Sequence, residues 1–482
     1  MGSLSQLSAR RGDASPALVL AIVCAGVILA SLDLFVVNVA LPDIARDLHA
    51  GGLGALSWVL NGYAIVYAAL LVLFGRLAEG RRRDTGFVLG VVVFTAASAA
   101  CGAAGSLTAL VVCRIVQAAG AALLTPTSLS LVLATSTPER RQSSVRTWTA
   151  LGGLAAALGP VAGGLLVAAN WRWVFFVNVP IGIAAALIGW RRLPPVPGHP
   201  VRRPDAFSAA LVTAGVAALT LGLVKGNDWG WGAPATVAAL VGAVAALALF
   251  TRRCVRHDNP LIEAALFRVR AFTGSSAVAL VFSVAFGAML LSIVLFDQEV
   301  WHWSALRTGL AVAPGPLMVP LFSFLVAGRL IGRFGAGAVI AAGATVYAAG
   351  ATWWTLRAGA APDYAGEMLP GMLMTGMGVG LTLPTFMSTG ASSLPPQSFA
   401  TGSAVLNMLR QVGLAVGVAV LVAVLGAARE VSAFDHGWMV IAATSLLAAL
   451  AGAVLLRRPG RVRGSARWSD AAASPRAGLE RQ

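Results

Sequence analysis

The chain has 482 residues, of which 58% are hydrophobic and only 11% charged, with a formal net charge of +16. A soluble domain carries roughly 25% charged residues. Here the basic excess lies between apolar runs rather than along one polar stripe, which excludes an ordinary soluble enzyme or nucleic-acid-binding protein and leaves a polytopic membrane protein.

Arg10 and Arg11 precede the first apolar run, as in a signal peptide, but no small-residue cleavage site follows, so the run is expected to remain as a helix. Fourteen runs approach the roughly 20 residues a helix needs to cross a bilayer. They are 17–38, 57–78, 86–105, 108–133, 147–169, 173–191, 207–224, 235–251, 273–296, 308–328, 337–357, 367–390, 404–426 and 437–456. With the N-terminus inside, the even loops hold eighteen basic residues and the odd loops six. Basic residues collect in cytoplasmic loops, so fourteen spans with both termini cytoplasmic are expected. Gly75-Arg76-Leu77 after the second run recurs as Gly328-Arg329-Leu330 after the tenth. With runs seven and eight set aside, the two tripeptides hold the same place in two six-helix halves, a known transporter design. The expected fold is an all-α membrane protein of 14 transmembrane helices, two six-helix bundles plus two extra central helices. The bundles fall at 1–192 and 257–458, the linker and extra pair at 193–256, and a disordered cytoplasmic basic tail at 459–482.

Charges at membrane depth are expensive and mark ion or substrate pathways. Asp33 is the carboxylate well inside a run, within Leu32-Asp33-Leu34-Phe35-Val36-Val37-Asn38-Val39-Ala40-Leu41-Pro42. A carboxylate in a low dielectric can carry a proton near neutral pH; the same group fixed to an Arg would be structural. Arg114 lies in run four, and Gln117 follows one helical turn later on the same face. Arg cannot deprotonate, so its charge needs an acceptor, and Asp33 is the expected one. Gly75, Arg76, Glu79, Arg81, Arg82 and Arg83 form a loop after run two. There a Gly turn and a carboxylate–guanidinium set could latch helix ends. Gly159, Pro160, Gly163 and Gly164 in run five suit a close helix crossing. The Trp171-Arg172-Trp173-Val174-Phe175-Phe176-Val177-Asn178-Val179-Pro180 stretch follows. Asp297 and Glu299 end run nine and are expected at the interface, with a second proton site as the alternative. Asn38, Asn407, Arg410 and Gln411 are candidates for lining a cavity. The glycines at 376, 378 and 380 have no preceding strand and read as helix packing. Cys24, Cys101, Cys113 and Cys254 show neither CxxC nor Cys/His spacing, so no disulfide framework and no metal site is expected.

Taken together, these motifs resemble the 14-helix drug:proton antiporter branch of the major facilitator superfamily, from about residue 30 to residue 420. The loop departs from the family pattern at Glu79 and Arg82, and Ala118 replaces a usual Gly. The resemblance implies proton-coupled export of small amphipathic organic compounds from a bacterial plasma membrane by a monomer. Asp33 would alternately hold proton and substrate, with Arg114 and Gln117 beside it, and the bundles would rock to give alternating access. Protons, the small-molecule cargo and membrane lipid are the expected partners. No cofactor, nucleotide or enzymatic activity is expected, since no phosphate-binding Gly-rich loop with Lys-Ser/Thr is present. The alternatives are an exporter or importer of a specific metabolite, or a non-transporting membrane sensor.

Overall fold

A computed structural model describes residues 15–79, 81–197, 205–257, 260–394, 399–426 and 430–456. Every regular element among them is helical. That is the expected answer to apolar surroundings, because a helix satisfies its backbone polar groups internally.

The first half comprises α1 (Pro16–Asp47), α2 (Leu53–Glu79), α3 (Arg83–Gly102), α4 (Leu107–Thr135) and α5 (Pro138–Ala169). A short α6 (Trp173–Phe176) then leads into α7 (Asn178–Arg192). The pair α8 (Ala206–Trp229) and α9 (Pro234–Arg256) follows. Asp205 caps the first turn of α8 and pairs with Arg253 at 2.9 Å, which ties the start of α8 to the end of α9. The second half comprises α10 (Arg270–Leu295), α11 (Ala305–Val312), α12 (Pro314–Leu321), α13 (Gly328–Phe334), α14 (Ala336–Arg357), α15 (Leu369–Ser392), α16 (Phe399–Leu425) and α17 (Val431–Leu455). Three π-helical turns punctuate it: Phe296–Val300 extends α10, Phe322–Ala327 joins α12 to α13, and Tyr364–Met368 opens α15. The second of these follows Pro320, whose missing N–H breaks the α-helical ladder.

Among the described residues, twelve helices are long and apolar enough to cross a membrane, against the fourteen expected. The two expected spans outside that set are nonetheless helical. α5 is 32 residues long, and Leu158–Ala169 is the apolar stretch of it that lies uninterrupted among the described residues. α15 is diluted by Gly, Thr and Pro. The first helix also runs nine residues past its apolar stretch, to Asp47.

Neighbour relations repeat across the molecule. α1 packs on α5, and α3 on α4 and α7; correspondingly, α10 packs on α16, and α14 on α15 and α17. α2 meets α16 across the middle, and α8 lies against both. Successive helices alternate direction, so the turns after Asp47, Gly102 and Ala169 share one face, and the turn after Glu79 lies on the other.

Candidate functional site

The packing of α1 beside α4 and α7 brings the deepest charges together. Asp33 and Arg114 are fully buried and form an ion pair. Gln117 bridges them: its Nε2 donates to Asp33 Oδ1 at 2.9 Å, and its Oε1 accepts from Arg114 Nη1 at 2.7 Å. Asn178, just after the break between α6 and α7, donates from Nδ2 to Asp33 Oδ1 at 3.2 Å and to Ser98 Oγ at 3.0 Å. Ser98 in turn donates to the Phe175 carbonyl at 2.9 Å. The Arg114 Nε donates to the Val59 carbonyl at 3.3 Å, and the guanidinium carbon sits 4.2 Å from the centre of the Tyr63 ring. An unpaired Arg at this depth costs about 2.5–3.5 kcal/mol on insertion scales, so the ion pair, amide bridge and ring face each offset part of that cost.

Tyr63 stacks on Tyr67, with centroids 5.8 Å apart and planes at 10°. The Tyr67 hydroxyl lies 3.1 Å from Thr125 Oγ1 and acts electrostatically on Arg410 of α16. Arg410 is partly buried and makes no hydrogen bond or ion pair among the described residues. Beside it, Gln411 is 1% exposed and its Oε1 has no partner. Asn407 and Asn38 satisfy their amides within their own helices, on Ser403 O and Leu34 O.

A pocket opens between the halves, lined by Leu34, Asn38, Asn61, Gly287, Leu290 and Leu414 among others. Asp33 does not line it. The carboxylate turns toward α4 and α7, and Leu34 and Phe35 form the wall instead.

On the Asp47 face the two halves close tightly. The Gly159-Pro160-Gly163-Gly164 segment of α5 presses on both partners. A Cβ at Gly159 would stand 2.6 Å from Phe35 Cβ, and one at Gly164 would stand 2.8 Å from the Ala305 carbonyl of the other half. A Cβ at Gly309 would collide with the Pro160 carbonyl. Gln298 Nε2 also donates across the seam to the Val39 carbonyl at 3.2 Å.

Two expectations are corrected. Asp297 is not interfacial but fully buried, and neither carboxylate oxygen has a hydrogen-bond partner among the described residues. Asp297 sits in the π-helical turn Phe296–Val300 that ends α10, and the Trp303 backbone N–H donates to the Asp297 backbone carbonyl at 2.9 Å. Arg307 acts on it electrostatically and lies over the Trp303 ring. Glu299 is partly buried. Nor does Gly75 make a turn: α2 continues through it to Glu79. The side chains of Arg76 and Glu79 lie outside the described residues. Arg81 is exposed, Arg82 pairs with Asp84 at 2.7 Å, and Arg83 opens α3 with its N–H on the Val196 carbonyl. The stretch 198–204 and the tail 457–482 also lie outside the described residues.

Residues 23–418 match the model of the Major Facilitator Superfamily. The chain belongs to the major facilitator superfamily. Among its relatives, the tetracenomycin C resistance and export protein of Streptomyces glaucescens is 31% identical over 86% of this chain and 77% of its own length. The probable actinorhodin transporter of Streptomyces coelicolor is 34% identical over 83% of this chain and 71% of its own length. The multidrug resistance protein Stp of Mycobacterium tuberculosis is 33% identical over 83% and 74%. Solved transporter structures share the fold. An auto-inhibited POT family peptide transporter superposes with a TM-score of 0.66 at 18% identity, covering 91% of this chain and 97% of its own. The human organic anion transporter MFSD10 gives 0.64 at 15%, covering 91% and 100%.

Sequence reasoning reached Asp33, Arg114 and Gln117 but gave no role to Asn178, Ser98, Tyr63 or Tyr67. The signal for Asn178 was its place in the Trp-rich stretch; its direction depends on the helix break at Val177.

Proposed function

We propose that this superfamily member is a proton-coupled exporter of small amphipathic organic compounds, antibiotics or other drugs among them. It works by alternating access as a monomer in a bacterial plasma membrane. Fourteen spans, two six-helix bundles at 1–192 and 257–458 and an extra pair between them, with both termini cytoplasmic, complete the reading. The recurring helix pairings and the basic-residue asymmetry support it. The relatives' names, resistance and export, support the direction of transport.

The observation that carries the coupling is the buried Asp33 with three donors, from Arg114, Gln117 and Asn178. Charge-assisted hydrogen bonds of this kind are shorter and stronger than neutral ones. The cluster loosens as the halves rock, and Asp33 then exchanges its Arg114 and amide partners for the coupled proton. The closed seam at Gly309 and Pro160 fits a state shut on the extracellular side. Asp297, buried without a hydrogen bond, supports a second protonatable position, with Glu299 two residues along. The Gly75–Arg83 segment serves as the cytoplasmic gate, and Asn38, Asn407, Arg410 and Gln411 border the cargo path. A substrate-accumulation screen in a pump-deficient bacterial host tests the function. Reduced accumulation of at least one compound, reversed by a protonophore, is expected; accumulation unchanged across the screen contradicts export.

A further inference from the structure

The deep charges are unevenly balanced. Arg114 is matched by Asp33, and both turn away from the pocket. Arg410 faces no carboxylate: among the described residues the group acting on it is the neutral Tyr67 hydroxyl. Arg410 stands one helical turn from Leu414, and Tyr67 stands one turn from Ala64; both Leu414 and Ala64 line the pocket. Arg410 and Tyr67 therefore lie one turn beyond the pocket, on opposite halves, toward the Glu79 face. A guanidinium at membrane depth without a counter-charge is unfavourable and marks a substrate or ion pathway. Its planar fork fits a carboxylate or sulfonate through paired hydrogen bonds, and the Tyr67 ring, stacked on Tyr63, stands beside it.

We propose that Arg410 is an anion-recognition subsite and that the cargo carries a carboxylate, sulfonate or acidic phenol on an aromatic body. The inference rests on the export reading and names its substrate class. Its consequence is electrical. Exchange of one proton inward for one monoanion outward moves two charges per cycle, so membrane potential as well as the proton gradient drives export.

Two dyes on one xanthene frame test this: fluorescein, anionic in mildly alkaline buffer, and tetramethylrhodamine methyl ester, a cation. Their equilibrium binding to the full-length protein in detergent is read by fluorescence anisotropy. Wild type is expected to bind fluorescein more tightly than the rhodamine ester. Arg410→Ala should weaken fluorescein binding by about tenfold or more, as loss of a charge-assisted contact implies, and should strengthen the ester, from which a like charge is removed. Arg410→Lys should retain part of the fluorescein affinity. If Arg410→Ala is not monodisperse, Arg410→Gln carries the same comparison. Tighter wild-type binding of the ester, no saturable fluorescein binding, or equal loss of both dyes in a folded variant overturns the subsite. Failure here leaves proton-coupled export standing, because binding in detergent needs no proton gradient and Asp33-dependent efflux is read separately.

Discussion

Arg114 commits Nε to a backbone carbonyl and Nη1 to Asp33 and Gln117, while Nη2 has no acceptor among the described residues. Protonating Asp33 would leave this guanidinium with only neutral partners, the Val59 carbonyl, the Gln117 amide oxygen and a ring face, which is a physical reason for the halves to move. Removing one member of a buried pair costs roughly 3–5 kcal/mol because the other is left uncompensated. Arg114→Ala should therefore destabilise the protein strongly, and Asp33→Asn less, since Asn can still hydrogen-bond. The double variant should lose less than the sum, and thermal stability of the three in detergent reads the coupling. Additive losses would show that the contact carries no interaction energy. Asp297 behaves oppositely. A buried polar group without a partner costs about 1–3 kcal/mol, so Asp297→Leu should raise the melting temperature. If Asp297 also carries a proton, the same variant slows export. A lower melting temperature would mean that the carboxylate has a stabilising partner.

α5 and α11 meet through glycine backbone, and the seam has no room for a side chain. Overpacking costs roughly 1–3 kcal/mol, a shift of about 5- to 150-fold against the closed seam. Gly309→Ala should thus bias the transporter toward opening on the Asp47 face. Spin labels at Asn170 and His302, both exposed on that face, should report a longer distance in the variant once the native cysteines are replaced. An unchanged distance distribution would show that the seam gives way locally instead. This crossing was half legible in sequence. The Gly159–Gly164 run announced a close approach, but its partner glycine lies 145 residues from Gly164 and only the crossing geometry selects it. The Asp33–Arg114 pair was more legible, because ions are so scarce in apolar runs that each needs the other. Asp297 was misplaced because it lies in a π-helical turn that is buried in the packed helices, and no hydropathy pattern records which side of such a turn is covered. The expected turn at Gly75 failed for a different reason: helix propagation through α2 overrode one glycine, whose Cβ position is open apart from Pro126 at 3.7 Å.

For the molecule as a whole, the asymmetry of basic loops predicts which face is extracellular. A cysteine at Asn227, exposed at the end of α8, should react with an impermeant thiol reagent applied outside intact cells. One at Arg252, exposed at the end of α9, should react only after permeabilisation. The reverse pattern would invert the topology and move the closed seam to the cytoplasmic side. In the proposed cycle the two halves exchange access around α1, α2, α10 and α16, the helices that line the pocket. Within that proposed motion Asp33 is assigned as the element that would convert a proton gradient into direction. The most direct measurement uses purified protein in liposomes, an imposed proton gradient, and a compound identified by the accumulation screen. Wild type should accumulate the compound against its gradient and release protons as it does so. Asp33→Asn should still exchange compound at equal concentrations but fail to concentrate it, with no coupled proton movement. Uphill transport by Asp33→Asn at the wild-type rate, with its proton movement intact, would contradict the assignment of Asp33 as the coupling site.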